Sequence, residues 1–200
     1  LYVINADKVF VTTVNGTENT LASTGEFASS DDETNIDGAV FSKSDITFNG
    51  SGTLNVNCES KHGIVTKDDL KITGGTYNIT SASQGLSGKD SVRIAGGNIT
   101  VTSGTDGIHS ENADDTEKGY VYISGGTVNI TSGKDCIDAS GTIDIKDGTF
   151  TLNAGGGSSE KTTGDDSESY KGVKADGVLT ISGGTFTIDT LDDAIHSNTD

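Results

Sequence analysis

Two near-copies in tandem constrain this chain more than any other feature. Residues 87–137 read SGKDSVRIAGGNITVTSGTDGIHSENADDTEKGYVYISGGTVNITSGKDCI. Each copy opens with a short alternating strand, Val92 and Ile94 in one, Val121 and Ile123 in the other, followed by a Gly-Gly pair. A second alternating strand follows (Ile99, Val101; Val128, Ile130), then Thr-Ser-Gly, then a short segment that starts with Asp and closes on Ile108 or Ile137. The apolar period is 2 within strands, and no helical period of 3.6 is present. A unit this short cannot bury its own apolar face, so copies must stack on one another.

The unit recurs through the chain. The second glycine of each corner, or its equivalent, falls at Gly52, Gly75, Gly97, Gly126, Gly148 and Gly184, spacings of 23, 22, 29, 22 and 36 residues. The base repeat is therefore 22 residues, and two units carry surface insertions, near 111–118 and 155–170. Three inward walls result. One contains Leu70, Ile72, Val92 and Ile94, the next Tyr77, Ile79, Ile99 and Val101, and the third the closing residues Ile64, Leu86, Ile108, Ile137, Val173 and Ile195. Three short strands per 22-residue turn is the arithmetic of an all-β solenoid, a right-handed parallel β-helix of about six to seven turns. Residues 1–37 are expected to form an irregular first coil that caps the stack, and 38–200 the helix proper. An antiparallel Gly-rich sandwich would need hairpin turns throughout, and the matched columns favour the coil. The second strands also present an outward column of Asn55, Asn78, Thr100, Asn129, Thr151 and Thr187.

Charge narrows the partners. Thirty acidic residues against thirteen Lys and Arg leave a formal charge of −17. Nucleic acid is excluded for want of a basic footprint, and an anionic membrane surface for the same reason. No signal peptide or membrane-spanning run is visible, and the ends suggest a mature product or a fragment. So many carboxylates suit a secreted or cell-surface setting with available cations. Cys58 and Cys136 fall three units apart, about 14 Å at roughly 4.8 Å per turn, too far for a disulfide. Both read as small buried residues.

The carboxylates align by column. Two positions before each closing residue stand His62, Gln84, Asp106, Asp135, Lys171 and Asp193, and one position after it Val65, Ser87, His109, Asp138, Lys174 and His196. Asp106 and Asp135 occupy consecutive turns, so their backbones should lie about 4.8 Å apart, and a cation between them would relieve the repulsion. Asp106, Asp135 and Asp138, with Glu111 as a fourth, form a hard-oxygen set of the kind that calcium takes. A second set is Asp192 and Asp193 with Asp176 and Asn198, where Lys171 and Lys174 could replace a metal by pairing. Solvated turn aspartates are the alternative for both. His109 and His196 occupy equivalent places and are candidate ligand-facing imidazoles, but neither has the Cys or second His that a zinc site needs.

At these residues the chain resembles the bacterial carbohydrate-binding, pectate-lyase-like parallel β-helix proteins. The matching pieces are Ile123-Ser124-Gly125-Gly126-Thr127, Thr105-Asp106-Gly107-Ile108-His109-Ser110 and Asp192-Asp193-Ala194-Ile195-His196-Ser197. The resemblance implies a secreted or surface-attached protein that binds cellulose and acidic glycans such as polygalacturonate, with bound calcium at the closing Asp runs. Lys134 before Asp135, Gln84 and Lys171 depart from that pattern. The leading expectation is calcium-assisted binding of an extracellular polysaccharide without catalysis, the protein being tethered to the cell surface through flanking regions. Tyr120 and Tyr122 are the stacking candidates, together with Tyr170. A calcium-dependent pectate-type lyase is the alternative, its base being Arg93 on the first strand, away from the carboxylate columns, or else Lys89, Lys134 or Lys174. An adhesin or structural spacer stiffened by calcium is the third reading.

Overall fold

The computed structural model describes residues 1–27, 36–112, 114–160 and 168–199. These form three parallel sheets, here A, B and C, with eight, seven and seven strands. The chain visits them in the order A, B, C and then repeats, so that every strand pairs with its equivalent one turn away. The fold is a parallel β-helix of seven complete turns, and Ile195–Ser197 adds one more strand to sheet A.

The register follows the sequence columns. On sheet C, Asn98–Ser103 pairs residue for residue with Thr76–Ser81 and with Thr127–Ser132. Alternation then sends Ile99, Val101, Val128 and Ile130 into the interior, each 2% exposed or less. The outward Asn/Thr column forms as expected, and at its N-terminal end the amides link directly. Asn78 Nδ2 donates to Asn55 Oδ1, and Asn55 Nδ2 to Glu18 Oε1, both at 2.8 Å. The B-to-C corner requires glycine. Gly97 has φ of +104°, and a Cβ there would lie 2.9 Å from the Gly75 carbonyl oxygen of the turn below. A side chain at this corner would disfavour the backbone conformation and separate the turns together.

Within 1–37, expected to be an irregular coil, three strands are instead in register with the second turn. Tyr2 aligns with Phe41, Val9 with Ile46 and Leu21 with Val56. Irregular sequence spacing therefore does not prevent a regular turn, because pairing needs matched strands rather than matched loops. At the other end Ile181 and Ile195 are 36% and 48% exposed, and among the described residues no strand packs beyond the last turn. Val65 differs from the expectation for an outward position. It is buried beside Phe41, which is buried too, with the Tyr2 ring and the Lys67 ammonium each 5.5 Å from the Phe41 ring centroid.

Both thiols are buried and unbridged. Burial pushes the Cys136 thiol up to about 12, against the hydrogen bond from Ser132. Native protein is expected to leave Cys136 unmodified by a maleimide or disulfide reagent at pH 8, with labelling of both cysteines only in denaturant. Mass spectrometry checks this, and rapid native labelling of Cys136 would contradict the packing. No helix among the described residues is long and apolar enough to cross a membrane.

Candidate functional site

The outer face of sheet A carries the columns of interest. Backbone bonds from Gly85 N to Asp106 O and from Gly107 N to Asp135 O, both 3.0 Å, hold Gln84, Asp106 and Asp135 in successive turns. Strand register places His109 beside Asp138, and Asp138 beside Lys174. The spacing of these groups is thus set by the backbone ladder before any side chain interacts.

The side chains then sort themselves by charge. His109 Nδ1 lies 3.2 Å from Asp138 Oδ2 and 3.8 Å from Asp106 Oδ2, while its Nε2 is 3.4 Å from Glu111 Oε2. Asp106, His109 and Asp138 place ligand atoms within 4.8 Å of one another. Asp135 turns elsewhere. Its Oδ1 accepts from Ser169 Oγ at 2.8 Å and from the Lys171 backbone N–H at 2.6 Å, and its Oδ2 lies 3.7 Å from Lys174 Nζ. Lys174 also donates to Asp138 Oδ1 at 2.9 Å. The group expected as Asp106, Asp135, Asp138 and Glu111 therefore converges as Asp106, His109 and Asp138. Glu111 is at the exposed rim, and Asp135 is tied to an ammonium and a backbone amide.

Burial and partners set the protonation balance. Burial lifts the Asp106 carboxyl above the usual range, and it does the same to Asp135 despite the bonds from Lys171 and Ser169. Burial would also lift Asp138, but bonds from His109 and Lys174 outweigh it and hold that carboxyl below the usual range. Burial disfavours charged His109, yet Asp138, Asp106 and Glu111 together raise its pKa. The result is a mixed ion cluster in which His109 and Lys174 already balance part of the acidic charge.

The other candidates are distributed around the coil. Asp192 pairs with Lys171, whereas Asp193 lies 3.0 Å from His196 Nδ1, so these neighbours serve different partners. His196 Nε2 is also 2.8 Å from Asn198 Oδ1. Tyr122 is on sheet B, aligned with Arg93 and Asp144, and the Arg93 guanidinium lies 6.0 Å from its ring centroid. Tyr120 begins the same strand. Neither tyrosine reaches the cluster on sheet A, because a 22-residue turn places the two sheets on different sides of the core. Residues 161–167 of the second insertion lie outside the described residues.

A second acidic group, at the A-to-B corner, was not singled out by the sequence columns. Asp45, Asp68 and Asp69 place carboxylate oxygens within 4.8 Å of one another. Burial, then the charge of Asp45 and contact with Asp90, push Asp68 up to about 6. The signal was present in the parallel runs Thr66-Lys67-Asp68-Asp69 and Gly88-Lys89-Asp90-Ser91, one repeat apart. A carboxyl raised in the folded state stabilises below its unfolded pKa, near 4, and that contribution is lost as pH rises through about 6. In chelator, Asp68→Asn is expected to raise stability at pH 7 by about 1 kcal/mol after allowance for solvent screening, with no gain at pH 3.5. Denaturant titrations at both pH values check this, and an equal gain at both would remove the charge explanation.

Comparison with known proteins agrees with this architecture. A family model described as "Carbohydrate-binding domain-containing protein" matches residues 1–200. The chain belongs to this carbohydrate-binding domain family. A relative with that same description, from Acetivibrio thermocellus, is 46% identical over 121 residues, covering 60% of this chain and 42% of its own length. The chain thus spans less than half of that curated relative. A solved structure, described as the polysaccharide lyase-like protein from C. thermocellum in a gadolinium derivative, superposes with a TM-score of 0.79 at 36% identity. That match covers 92% of this chain and 70% of the other.

Proposed function

We propose that this carbohydrate-binding domain holds an acidic extracellular polysaccharide, of the polygalacturonate type, along the outer face of sheet A with the help of calcium. The convergence of Asp106, His109 and Asp138 from adjacent turns carries the reading. Asp106 and Asp138 would hold the cation, and the two carboxylates suit a hard ion, whereas Glu111 stands on the far, Nε2 side of His109. The imidazole is a softer donor than calcium usually takes, and Lys174 competes for Asp138, so the fit is to one weakly held ion. Bound there, calcium would supply neutralisation of the protein's carboxylates and a bridge to a sugar carboxylate. Secretion or display at the cell surface follows from a substrate of this size.

The lyase alternative has less support. Elimination beside a uronate needs a base near the bound carboxylate. Arg93, the sole arginine, is on sheet B against Tyr122 rather than beside the cluster. Lys174 is beside it, but although burial disfavours its charge, Asp138 and Asp135 raise its pKa and keep it protonated, which makes it a poor base. Calorimetric titration of chelator-stripped protein with calcium, then with polygalacturonate, tests the proposal. Calcium uptake near one equivalent, followed by polymer binding that Asp138→Asn weakens about tenfold, is expected. No calcium uptake and no polymer binding would overturn it, and release of unsaturated uronate products would replace it with the lyase.

A further inference from the structure

We propose that the concavity next to the acid cluster on sheet A is a direct, cation-independent subsite for the carboxylate of an acidic sugar, with Lys67 and Lys89 as its recognition groups. The inference rests on the functional reading above and names how the same face takes up its ligand.

The concavity has a volume of about 330 Å³, at the small end of ligand sites and of the order of one or two sugar rings. Val65 and Ser87 form its floor. His62 and Gln84 line one side and Lys67 and Lys89 the other, while His109 and Glu111 join it to the acid cluster. Register explains the arrangement. Lys67 N donates to Ser42 O and Lys89 N to Thr66 O, so Lys43, Lys67 and Lys89 occupy one position in three consecutive turns. Their backbones rise along the axis at about 4.8 Å per turn. In a chain of charge −17, a run of three lysines on one column gives this face cations of its own, next to the Asp45, Asp68 and Asp69 group at the following corner. The same column continues as Glu111, Ser140 and Asp176, so the run ends at the acid cluster.

Neither of the two ammonium groups lining the concavity is locked into a tight pair. Lys67 lies 3.7 Å from Asp37, and Lys89 lies 3.4 Å from Asp114, whose side chain is 85% exposed. Such loose surface pairs exchange readily for a ligand carboxylate. The rest of the lining suits sugar hydroxyls. His62 Nδ1 accepts from the Gln84 backbone N–H at 3.2 Å, so the neutral ring carries its proton on Nε2 as a donor. Burial lowers the pKa of His62, which favours that neutral form. Hydroxyl and amide groups from Ser87 and Gln84 complete a set of donors and acceptors around Val65, with two cations at the edge. Neutral sugars would use only the first set, whereas a uronate uses both. A polymer lying along the axis would thus meet ammonium groups at one end of the face and the acid cluster at the other.

The test uses a galacturonate trimer and its methyl ester, titrated calorimetrically into the whole chain in EDTA and in calcium. The acidic trimer is expected to bind in EDTA, more weakly at higher salt, and the ester at least tenfold more weakly. Lys67→Gln and Lys89→Gln should each cost the acidic trimer about tenfold without changing the melting temperature, since both side chains are at the surface. Binding in calcium but not in EDTA, or equal binding by the variants, would overturn the subsite and leave the calcium reading standing. No binding in either buffer would remove both.

Discussion

Gly50→Ala is expected to detach the first turn of the helix from the second. Gly50 has φ of +105°, and a Cβ there would lie 2.1 Å from the Thr13 carbonyl oxygen. That carbonyl accepts bonds from Ser51 N at 3.0 Å and Gly52 N at 3.2 Å, so the clash falls on the hydrogen bonds that join the two turns. Backbone strain and forced displacement each cost about 1–3 kcal/mol, giving about 3 kcal/mol or more. In a stack whose turns contact only their neighbours, this loss should stay local. Hydrogen exchange should show lost protection in Val9–Thr13 and Glu18–Ser23, with Thr76–Ser81 still protected. Unchanged protection in the first turn would refute the packing at this seam. Uniform loss along the stack would show that the solenoid unfolds as a single unit.

Lys174→Met is expected to destabilise the calcium-free protein and to strengthen its hold on calcium. The ammonium sits 2.9 Å from Asp138 and 3.7 Å from Asp135, two carboxylates otherwise close enough to repel. The Lys174 side chain is 23% exposed and Asp138 13%, so the pair is only partly screened. Removing one partner leaves the other charge uncompensated, a loss of about 2 kcal/mol for a site at this depth. A cation could then occupy the vacated electrostatic position, with affinity rising about tenfold. Melting temperatures in chelator and in calcium provide the readout, and calcium should restore more stability to the variant than to the parent chain. Equal calcium effects on both proteins would show that Lys174 does not compete with the ion. A variant as stable as the parent in chelator would show that the pair contributes nothing.

The position of Asp106, Asp135 and Lys171 in one column, and of His109, Asp138 and Lys174 in the next, was legible from spacing. Their pairing was not. Asp135 was expected to face Asp106 across a shared ion, yet it accepts bonds from Ser169 and the Lys171 amide. Those donors stand at the end of the second insertion, Ser169 within it and Lys171 just after it, and no repeat predicts its path. Lys174 was expected to pair within the Asp192 and Asp193 set, but of its two neighbours in the column, Asp138 and His196, its ammonium bonds Asp138. Tyr122, a stacking candidate, does alternate outward from buried Val121 and Ile123, but outward on sheet B is a different face from outward on sheet A.

The sequence by itself determined the stack: three strands per turn, a 22-residue base repeat, which side chains point inward, and which residues share a column. These follow from period-2 alternation and from corners that need glycine, both local properties repeated in every turn. The tertiary structure decided which charges meet, that Val65 is covered, and that Lys67 and Lys89 border a concavity beside the acid cluster. Those outcomes depend on side chains that reach across turns and on insertions of unequal length. A long ammonium or carboxylate can choose among partners on several neighbouring strands, and no periodic pattern in the chain encodes that choice.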